Sequence, residues 1–403
     1  MVNHLPAIII GGPPHAGKSV LFYNLTQALR QGGIRHHAIR ACPDGEGNWT
    51  QESDQETVSQ IRIKGMWSEA FVKRISLDLE HRCLPFLVDM GGRPQETQVE
   101  ILRQCTHSLL LLRTDKDDYT QLWQHLIVEN GLLPLAEIYS QLEGISQITS
   151  QSPMLEGILT GLDRNAQAKI ENDLFKLLVE RIATLFSSYS PLELERAFIE
   201  QAPTEMILNL YQALQSIDSA APEWEIAMLQ PFLASLPPSA PLSVYGMGPN
   251  WLYAALSAYS YPHPFYQFDP RLPFGWIQPL SLQISTANCS EIEVETMPYQ
   301  DMIVLSLKFP SKHLDYFQPN SLPFPPINPN TGVLIYGPVP YWLLTALVRL
   351  YQEQGVAWIA PYYVPAKKAV VIYSRTEKYH VGDTVSLPDQ WEYRNSFSLP
   401  HSS

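Results

Sequence analysis

Cysteine is scarce in this sequence: Cys42, Cys83, Cys105 and Cys289 are scattered through 403 positions, with no C-x-x-C pair among them. That spacing excludes a local zinc knuckle and does not describe a disulfide framework, so buried or idle thiols in a reducing cytoplasm are expected. Basic residues are also few. Against 40 Asp and Glu stand 27 Lys and Arg, a formal net charge of −13. Such a chain lacks the clustered positive charge that a footprint on duplex DNA needs, although one local pocket can still hold a small phosphorylated ligand. Long hydrophobic runs are missing as well. No segment reaches about 18 uninterrupted apolar residues, and no basic stretch with a cleavable apolar segment opens the chain, so a soluble cytoplasmic protein without membrane contact is expected.

What is present is globular material. The chain is 45% apolar and 17% charged, too apolar for disorder. At 403 residues it is too long for one ordinary core, which implies two or three domains.

Ala7-Ile8-Ile9-Ile10 is a short apolar run that leads into Gly11-Gly12-Pro13-Pro14, the pattern of a buried parallel strand. After Lys18 the spacing turns helical, with Leu21, Leu25 and Leu29 on one face until Gly32-Gly33. Residues 37–42 predict a second strand, 67–81 a helix, and 84–90 a third strand stopped by Gly91-Gly92. A helix over 95–104 and a fourth strand over 108–112 follow. This alternation implies right-handed crossovers and a parallel sheet with helices on both faces. From 162 to 233 the signal is mainly helical, and Leu236-Pro237-Pro238-Ser239-Ala240-Pro241 reads as a linker.

Beyond the linker short strands dominate, and the sequence repeats itself. Gly246-Met247-Gly248-Pro249-Asn250-Trp251-Leu252 recurs as Gly337-Pro338-Val339-Pro340-Tyr341-Trp342-Leu343. Both copies follow an apolar strand, Leu242 to Tyr245 and Val333 to Tyr336, and both precede an amphipathic helix. Two related units of this kind can pack as an internal pseudo-dimer.

Four constellations carry chemistry. The first, between the first strand and its helix, is Gly12-Pro13-Pro14-His15-Ala16-Gly17-Lys18-Ser19, a G-x4-G-K-S P-loop. Its glycines permit the turn that aims N–H groups at phosphate oxygens; Lys18 neutralises the β/γ charge, and the Ser19 hydroxyl can ligate Mg²⁺. ATP and Mg²⁺ are therefore expected here, held by Gly12, His15, Ala16, Gly17, Lys18 and Ser19. Pro13 and Pro14 remove two possible donors from the cradle.

The second is Asp89, at the carboxyl end of the third strand, where these folds place a Mg²⁺-organising carboxylate. No Glu follows it, so the water-activating acid of motor ATPases is missing. The third is the loop from Arg40 to Trp49, which sets Asp44 and Glu46 among glycines beside the P-loop mouth. They suit a second substrate, activation of a hydroxyl, or a solvated turn. Arg62, Lys64, Arg113 and Asp115 are further candidates to line this cleft. The fourth is Asp269-Pro270-Arg271 in the first repeat. Two residues apart in a strand share a face, so this pair could hold a phosphodiester, a metal, or each other. The second repeat has Tyr363-Val364-Pro365-Ala366 there, without either charge.

The expected architecture is an α/β P-loop parallel-sheet domain with helices on both faces over 1–190, and a helical connector over 191–235. A C-terminal α+β (ferredoxin-like) duplicated domain follows, with repeats over 236–292 and 293–390 and a tail over 391–403.

Val244-Tyr245-Gly246-x-Gly248-Pro249-x-Trp251-Leu252, with Pro264-Phe265 and Phe268-Asp269-Pro270-Arg271-Leu272, resembles the small ring nucleases of type III CRISPR systems. Ala369 to Ile372 and Val381 to Val385 resemble the closing strands of the same domain. Gly12 to Ser19, Arg40 to Glu52 and Leu87 to Gly92 resemble the kinase-like ATPase domain fused to that nuclease in cyanobacterial versions.

The resemblance implies a CRISPR ancillary protein that binds and cleaves cyclic tetraadenylate. Asp269 would orient the nucleophile or hold Mn²⁺, and Arg271 would contact phosphate. The family's active-site His falls at Tyr261, with His263 two residues further on; Gln352 stands at the matching place of the second repeat. The resemblance thus implies binding more firmly than cleavage. Trp251, Tyr253 and Trp342 would stack adenines or fill the core. Family members assemble as dimers and tetramers, so a homo-oligomer is implied. Two other readings stay open: a sensor that binds the ring without cutting it, and a small-molecule or nucleotide kinase in which Asp44 or Glu46 activates an acceptor hydroxyl.

Overall fold

The computed structural model describes residues 5–41, 69–91, 99–162, 170–237, 239–287, 289–310, 314, 316 and 322–387. The chain divides into two compact units, Met1–Ala197 with Pro270–Gly275, and Phe198–Asp269 with Trp276–Ser403.

In the first unit, β1 (Ala7–Gly11) feeds α1 (Lys18–Gln31), and β2 (His37–Ala41), α2 (Glu69–Glu80) and β3 (Phe86–Met90) follow. The chain continues through α3 (Val99–Arg103), β4 (His107–Leu112), α4 (Asp117–Glu129), β5 (Leu133–Gln141), β6 (Gln147–Ser150), β7 (Leu155–Thr160) and α5 (Asp173–Phe186). The seven strands make one sheet in the order β2-β3-β1-β4-β5-β7-β6. All pair in parallel except β6, which runs antiparallel to β7 at the edge.

The reason β1 is apolar at every position lies in its place at the centre. Ile8 and Ile10 join Leu21 and Leu25 of α1 and Phe175 and Ile182 of α5 in one core. Ala7 and Ile9 face the other way, into a core with Leu79 of α2, Ile101 of α3 and Trp123 of α4. A strand covered on both faces has no position for a polar residue. Burial of each Ile or Leu contributes about 1.5–3 kcal/mol, so the P-loop is anchored by the best-buried strand of the unit.

Helix α6 (Pro191–Glu200) carries the chain across the boundary at 197/198. The helical connector expected over 191–235 is therefore not a separate element. Residues 198–235 belong to the second unit, where β8 (Ile207–Asn209), α7 (Leu210–Ile217) and α8 (Leu229–Ser235) form. The tie is β8, which pairs in parallel with β9 (Leu242–Tyr245).

From β9 the chain runs through α9 (Asn250–Ser260), β10 (Phe265–Phe268), β11 (Trp276–Ile277) and β12 (Gln283–Ile284). Then come β13 (Glu293–Tyr299), β14 (Met302–Lys308), β15 (Pro323–Phe324), β16 (Gly332–Tyr336) and α10 (Tyr341–Glu353). The described chain closes with β17 (Trp358–Tyr363), β18 (Lys368–Val370), β19 (Tyr373–Ser374) and β20 (Thr384–Val385). One sheet has the order β11-β10-β9-β8; another has the order β13-β14-β16-β17-β18-β20, with β19 on β17.

Both repeat windows thus form strand–helix–strand units whose strands are direct parallel neighbours, β9 with β10 and β16 with β17. This corrects the ferredoxin-like expectation. That topology splits each strand–helix–strand pair with an inserted strand, whereas here the crossover helix returns the chain to the adjacent position.

The two crossover helices lie side by side and parallel, because their contacts advance together along both. The Tyr253 and Tyr341 rings are 5.1 Å apart. A turn later, Ser257 Oγ donates to the Thr345 carbonyl at 3.3 Å. Arg349 then donates to Ser257 Oγ at 3.0 Å and to Ser260 Oγ at 2.7 Å. Among the described residues no helix is long and apolar enough to cross a membrane. Cys83 and Cys105 are buried, and burial pushes the Cys105 thiol up to about 12, which leaves it unreactive.

Candidate functional site

Three strands of the first unit end at the same level and set the site. Asp89 of β3 is opposite Ile10 of β1 and Arg40 of β2 in the sheet register. The loop after β1 therefore rises beside the Asp89 carboxylate. Gly12 lets it turn away: its φ is 136°, and a Cβ there would stand 2.0 Å from the Leu111 carbonyl oxygen. Gly17, at φ 87°, opens α1 without a side-chain cap, and a Cβ on it would meet Leu162 Cβ at 2.7 Å. The orphan N–H groups of the first turn of α1 are thus available to an anion.

Within this loop Lys18 is 8% exposed. Its Nζ donates to the carbonyls of Gly12 at 3.0 Å and Pro13 at 2.7 Å. Ser19 Oγ donates to Asp89 Oδ2 at 3.0 Å. Arg40 Nε reaches the same Oδ2 at 3.2 Å, and Arg40 Nη2 donates to Ser19 Oγ at 3.1 Å. Burial pushes the Asp89 carboxyl up from its ordinary range, opposed by the charges of Arg40 and Lys18 and the hydrogen bonds from Ser19 and Arg40.

Ala16 is buried, while His15 stands exposed at φ 61°. The His15 carbonyl accepts from Arg113 Nη1 at 3.2 Å, and Asp115 clamps Arg113 through both carboxylate oxygens at 2.8 and 2.7 Å. Arg113 and Asp115 therefore do flank the loop. Asp44, Glu46, Arg62 and Lys64 lie outside the described residues.

Ser19 Oγ and Asp89 Oδ2 are the two oxygens here that could hold a metal. Their 3.0 Å separation is what neighbouring corners of an octahedral ion with bonds of about 2.1 Å require, so the pair fits Mg²⁺. Lys18, Ser19 and Asp89 were expected to lie together here; Arg40 was expected only at the start of a loop. The available signal was register: Arg40 and Asp89 each stand one residue before the end of a parallel neighbour strand.

The second constellation does not assemble as expected. Tyr261 and His263 precede β10, and Asp269 follows it. Six residues of extended chain from His263 to Asp269 span about 20 Å, so neither Tyr261 nor His263 reaches the carboxylate along this strand. Instead they finish α9: the His263 amide donates to Ser260 O at 2.8 Å, and the His263 carbonyl accepts from Arg349 Nη2 at 2.8 Å.

Asp269 and Arg271 do not share a strand face either, because β10 ends at Phe268 and 270–271 form a turn. Asp269 is buried in the second unit, whereas Arg271 is exposed on a segment of the first. Among the described residues no group of three His, Cys, Asp or Glu gathers to hold a metal, so nothing supports Mn²⁺ at Asp269. Trp251, Tyr253 and Trp342 are all buried and serve as core.

What does converge is a pair of helix N-termini. Neither Pro249 before α9 nor Pro340 before α10 supplies a side-chain cap, although Asn250 Oδ1 accepts from the Trp251 N–H at 2.8 Å. Both start at the carboxyl ends of their parallel strands, the position where open α/β sheets bind ligands. Asp269 follows the carboxyl end of β10. Met247 at 72% and Tyr341 at 36% exposure stand at the two helix starts.

The strand order around β1, together with the loop and its Ser19–Asp89 pair, defines a P-loop nucleotide-binding fold in the first unit. Residues 307–386 match the family model described as CRISPR-associated protein (Cas_csx3), so the C-terminus carries a CRISPR-associated domain. The match lies within the second repeat, beginning at the end of β14, and does not include residues 261–271. A comparison with curated protein sequences returns no significant match.

Solved structures similar to this chain include the septum site-determining protein MinD complexed with Mg-ADP from Pyrococcus horikoshii OT3. It is 13% identical with a TM-score of 0.32, covering 46% of this chain and 100% of that one. A putative plasmid partition protein from Borrelia burgdorferi B31 bound to AMPPNP is 11% identical with a TM-score of 0.31, covering 46% and 98%. Likeness at these scores carries no weight; the fold rests on the strand order and the loop.

Proposed function

We propose that this chain is an ancillary protein of type III CRISPR defence, with an ATP-holding first unit and a second unit that binds cyclic tetraadenylate. In the first unit the N–H groups of the loop and of α1 cradle phosphates, and Lys18 leaves the Gly12 and Pro13 carbonyls to meet the β/γ charge. Mg²⁺ supplies charge neutralisation there, and Ser19 with Asp89 would hold it. Met90 and Gly91 follow Asp89, so the acid that activates water in motor ATPases does not stand next to it, which favours a site that holds nucleotide over one that turns it over rapidly.

The observation that carries the second half is the parallel packing of α9 on α10, which brings two helix N-termini to one end of the second unit. Each offers partial positive charge to a phosphate. A ring with several phosphates suits a site with two such ends.

The separation of Tyr261 and His263 from Asp269 favours the sensor over the nuclease, since no proton-transferring side chain of that set stands near the carboxylate. The test is incubation of the full chain with labelled cyclic tetraadenylate, with and without Mn²⁺ and ATP. Saturable binding with the ring recovered intact is expected. Linear products that vanish in Asp269→Ala would restore the nuclease reading, and an absence of binding would refute both.

A further inference from the structure

In the first unit, the metal position of the P-loop is already bridged by a positive side chain. Arg40 spans both donors, at 3.2 Å from Asp89 Oδ2 and 3.1 Å from Ser19 Oγ, and those donors are 3.0 Å from each other. The three groups form a closed triangle in which the guanidinium contacts the same two oxygens that fit Mg²⁺. The site is well shielded: the Arg40 and Asp89 side chains are 11% and 3% exposed. Lys18 Nζ donates to the Gly12 and Pro13 carbonyls, and its charge acts on Asp89 as well.

A carboxylate shielded to this degree needs a cation, since an unpaired buried charge is strongly destabilising. A guanidinium is suited to the task because it is always charged and donates to two acceptors at once. We propose that Arg40 is the resident counter-cation of the metal position, and that it must release Ser19 and Asp89 before Mg²⁺ and a nucleoside phosphate can occupy the P-loop. Arg40 therefore sets the metal dependence of nucleotide binding. The proposal rests on the reading of this site as one for Mg²⁺ and nucleotide. It makes Arg40 a positioning residue, distinct from a direct phosphate ligand. Because Arg40 is the penultimate residue of β2, its release also acts at the point where the chain leaves the sheet.

Two measurements on the full chain decide it. The first is thermal melting without nucleotide, in EDTA and in millimolar Mg²⁺. Wild type should melt at the same temperature in both. Arg40→Gln should melt lower in EDTA and rise in Mg²⁺, because the vacated Ser19–Asp89 pair then takes the ion; Arg40→Gln with Asp89→Asn should lose that rise. An Arg40→Gln variant indifferent to Mg²⁺, or a rise that persists without Asp89, overturns the proposal.

The second measurement is titration with a fluorescent ADP analogue. With Mg²⁺, Arg40→Gln should bind about tenfold more tightly than wild type, since the charge-assisted hydrogen bonds that the ion must displace are gone. In EDTA the two should bind alike. Weaker binding by Arg40→Gln in both conditions would make Arg40 a phosphate ligand and overturn the proposal. Should Arg40→Gln fail to fold, Arg40→Lys serves: it keeps the charge but not the double reach, and should still bind Mg²⁺–ADP more tightly than wild type. Wild type that binds no ADP under any condition refutes the nucleotide reading, while the melting measurement still decides the role of Arg40.

Discussion

The two units treat their charged residues in opposite ways. In the first, Ser19, Arg40 and Asp89 come from three separate places in the sequence and meet within 3.2 Å. In the second, Tyr261, His263 and Asp269 lie within nine residues of one another, yet β10 stands between the first two and the third. The difference is strand direction. Parallel strands ending at one level gather residues that are distant in sequence, whereas a strand between two residues holds them apart by its own length. Nearness in sequence is therefore a poor guide to a site, and shared position at the carboxyl ends of parallel strands is a good one.

The largest effect should come from breaking the loop that makes the first site. Gly12→Ala places a Cβ 2.0 Å from the Leu111 carbonyl at a φ of 136°. Overpacking and backbone strain together should cost about 3 kcal/mol in urea unfolding, with nucleotide binding lost alongside. A variant with wild-type stability and affinity would show that the loop does not need its left-handed turn.

A smaller effect is expected where the second unit is held together. Arg349→Ala removes donors to Ser257, Ser260 and the His263 carbonyl, and should lower stability by about 2 kcal/mol. An unchanged urea midpoint would mean that α9 and α10 are held by apolar packing alone. The smallest effect belongs to His263, which is exposed and lies before β10. His263→Ala should leave affinity for cyclic tetraadenylate within about twofold of wild type, as surface substitutions usually do. A loss of tenfold or more would place this imidazole in the site after all.

The legible parts of the sequence were those with a single period and a local motif. The run Ala7 to Ile10 reads as a buried strand because both its faces are covered, and Leu21, Leu25 and Leu29 read as a helix face because all three enter one core. The strands β5 to β7 left no such trace. Leu133 is 61% exposed and begins β5, Leu142 and Ile145 are exposed in the following turn, and the edge strand β6 is polar. Apolar residues outside the core and polar ones in a strand blur the pattern at once. The three-residue β8 was hidden among helices, and only its pairing with β9 reveals it. Arg40 was expected only as the first residue of a loop, because its contact with Asp89 comes from the register of β2 on β3. The spacing in the first repeat predicted a strand through Asp269 and Arg271; β10 instead ends at Phe268, and Pro270 begins a turn.

Under the proposed function the chain holds two distinct ligand sites, one for nucleotide and one for a cyclic oligoadenylate. The most direct measurement is isothermal titration of wild type and Lys18→Ala with Mg²⁺–ADP and, separately, with cyclic tetraadenylate. The expected result is that Lys18→Ala weakens nucleotide binding by on the order of 100-fold, through loss of its charged contacts to phosphate, and binds the ring as wild type does. Loss of both ligands together, or full retention of nucleotide, would contradict it.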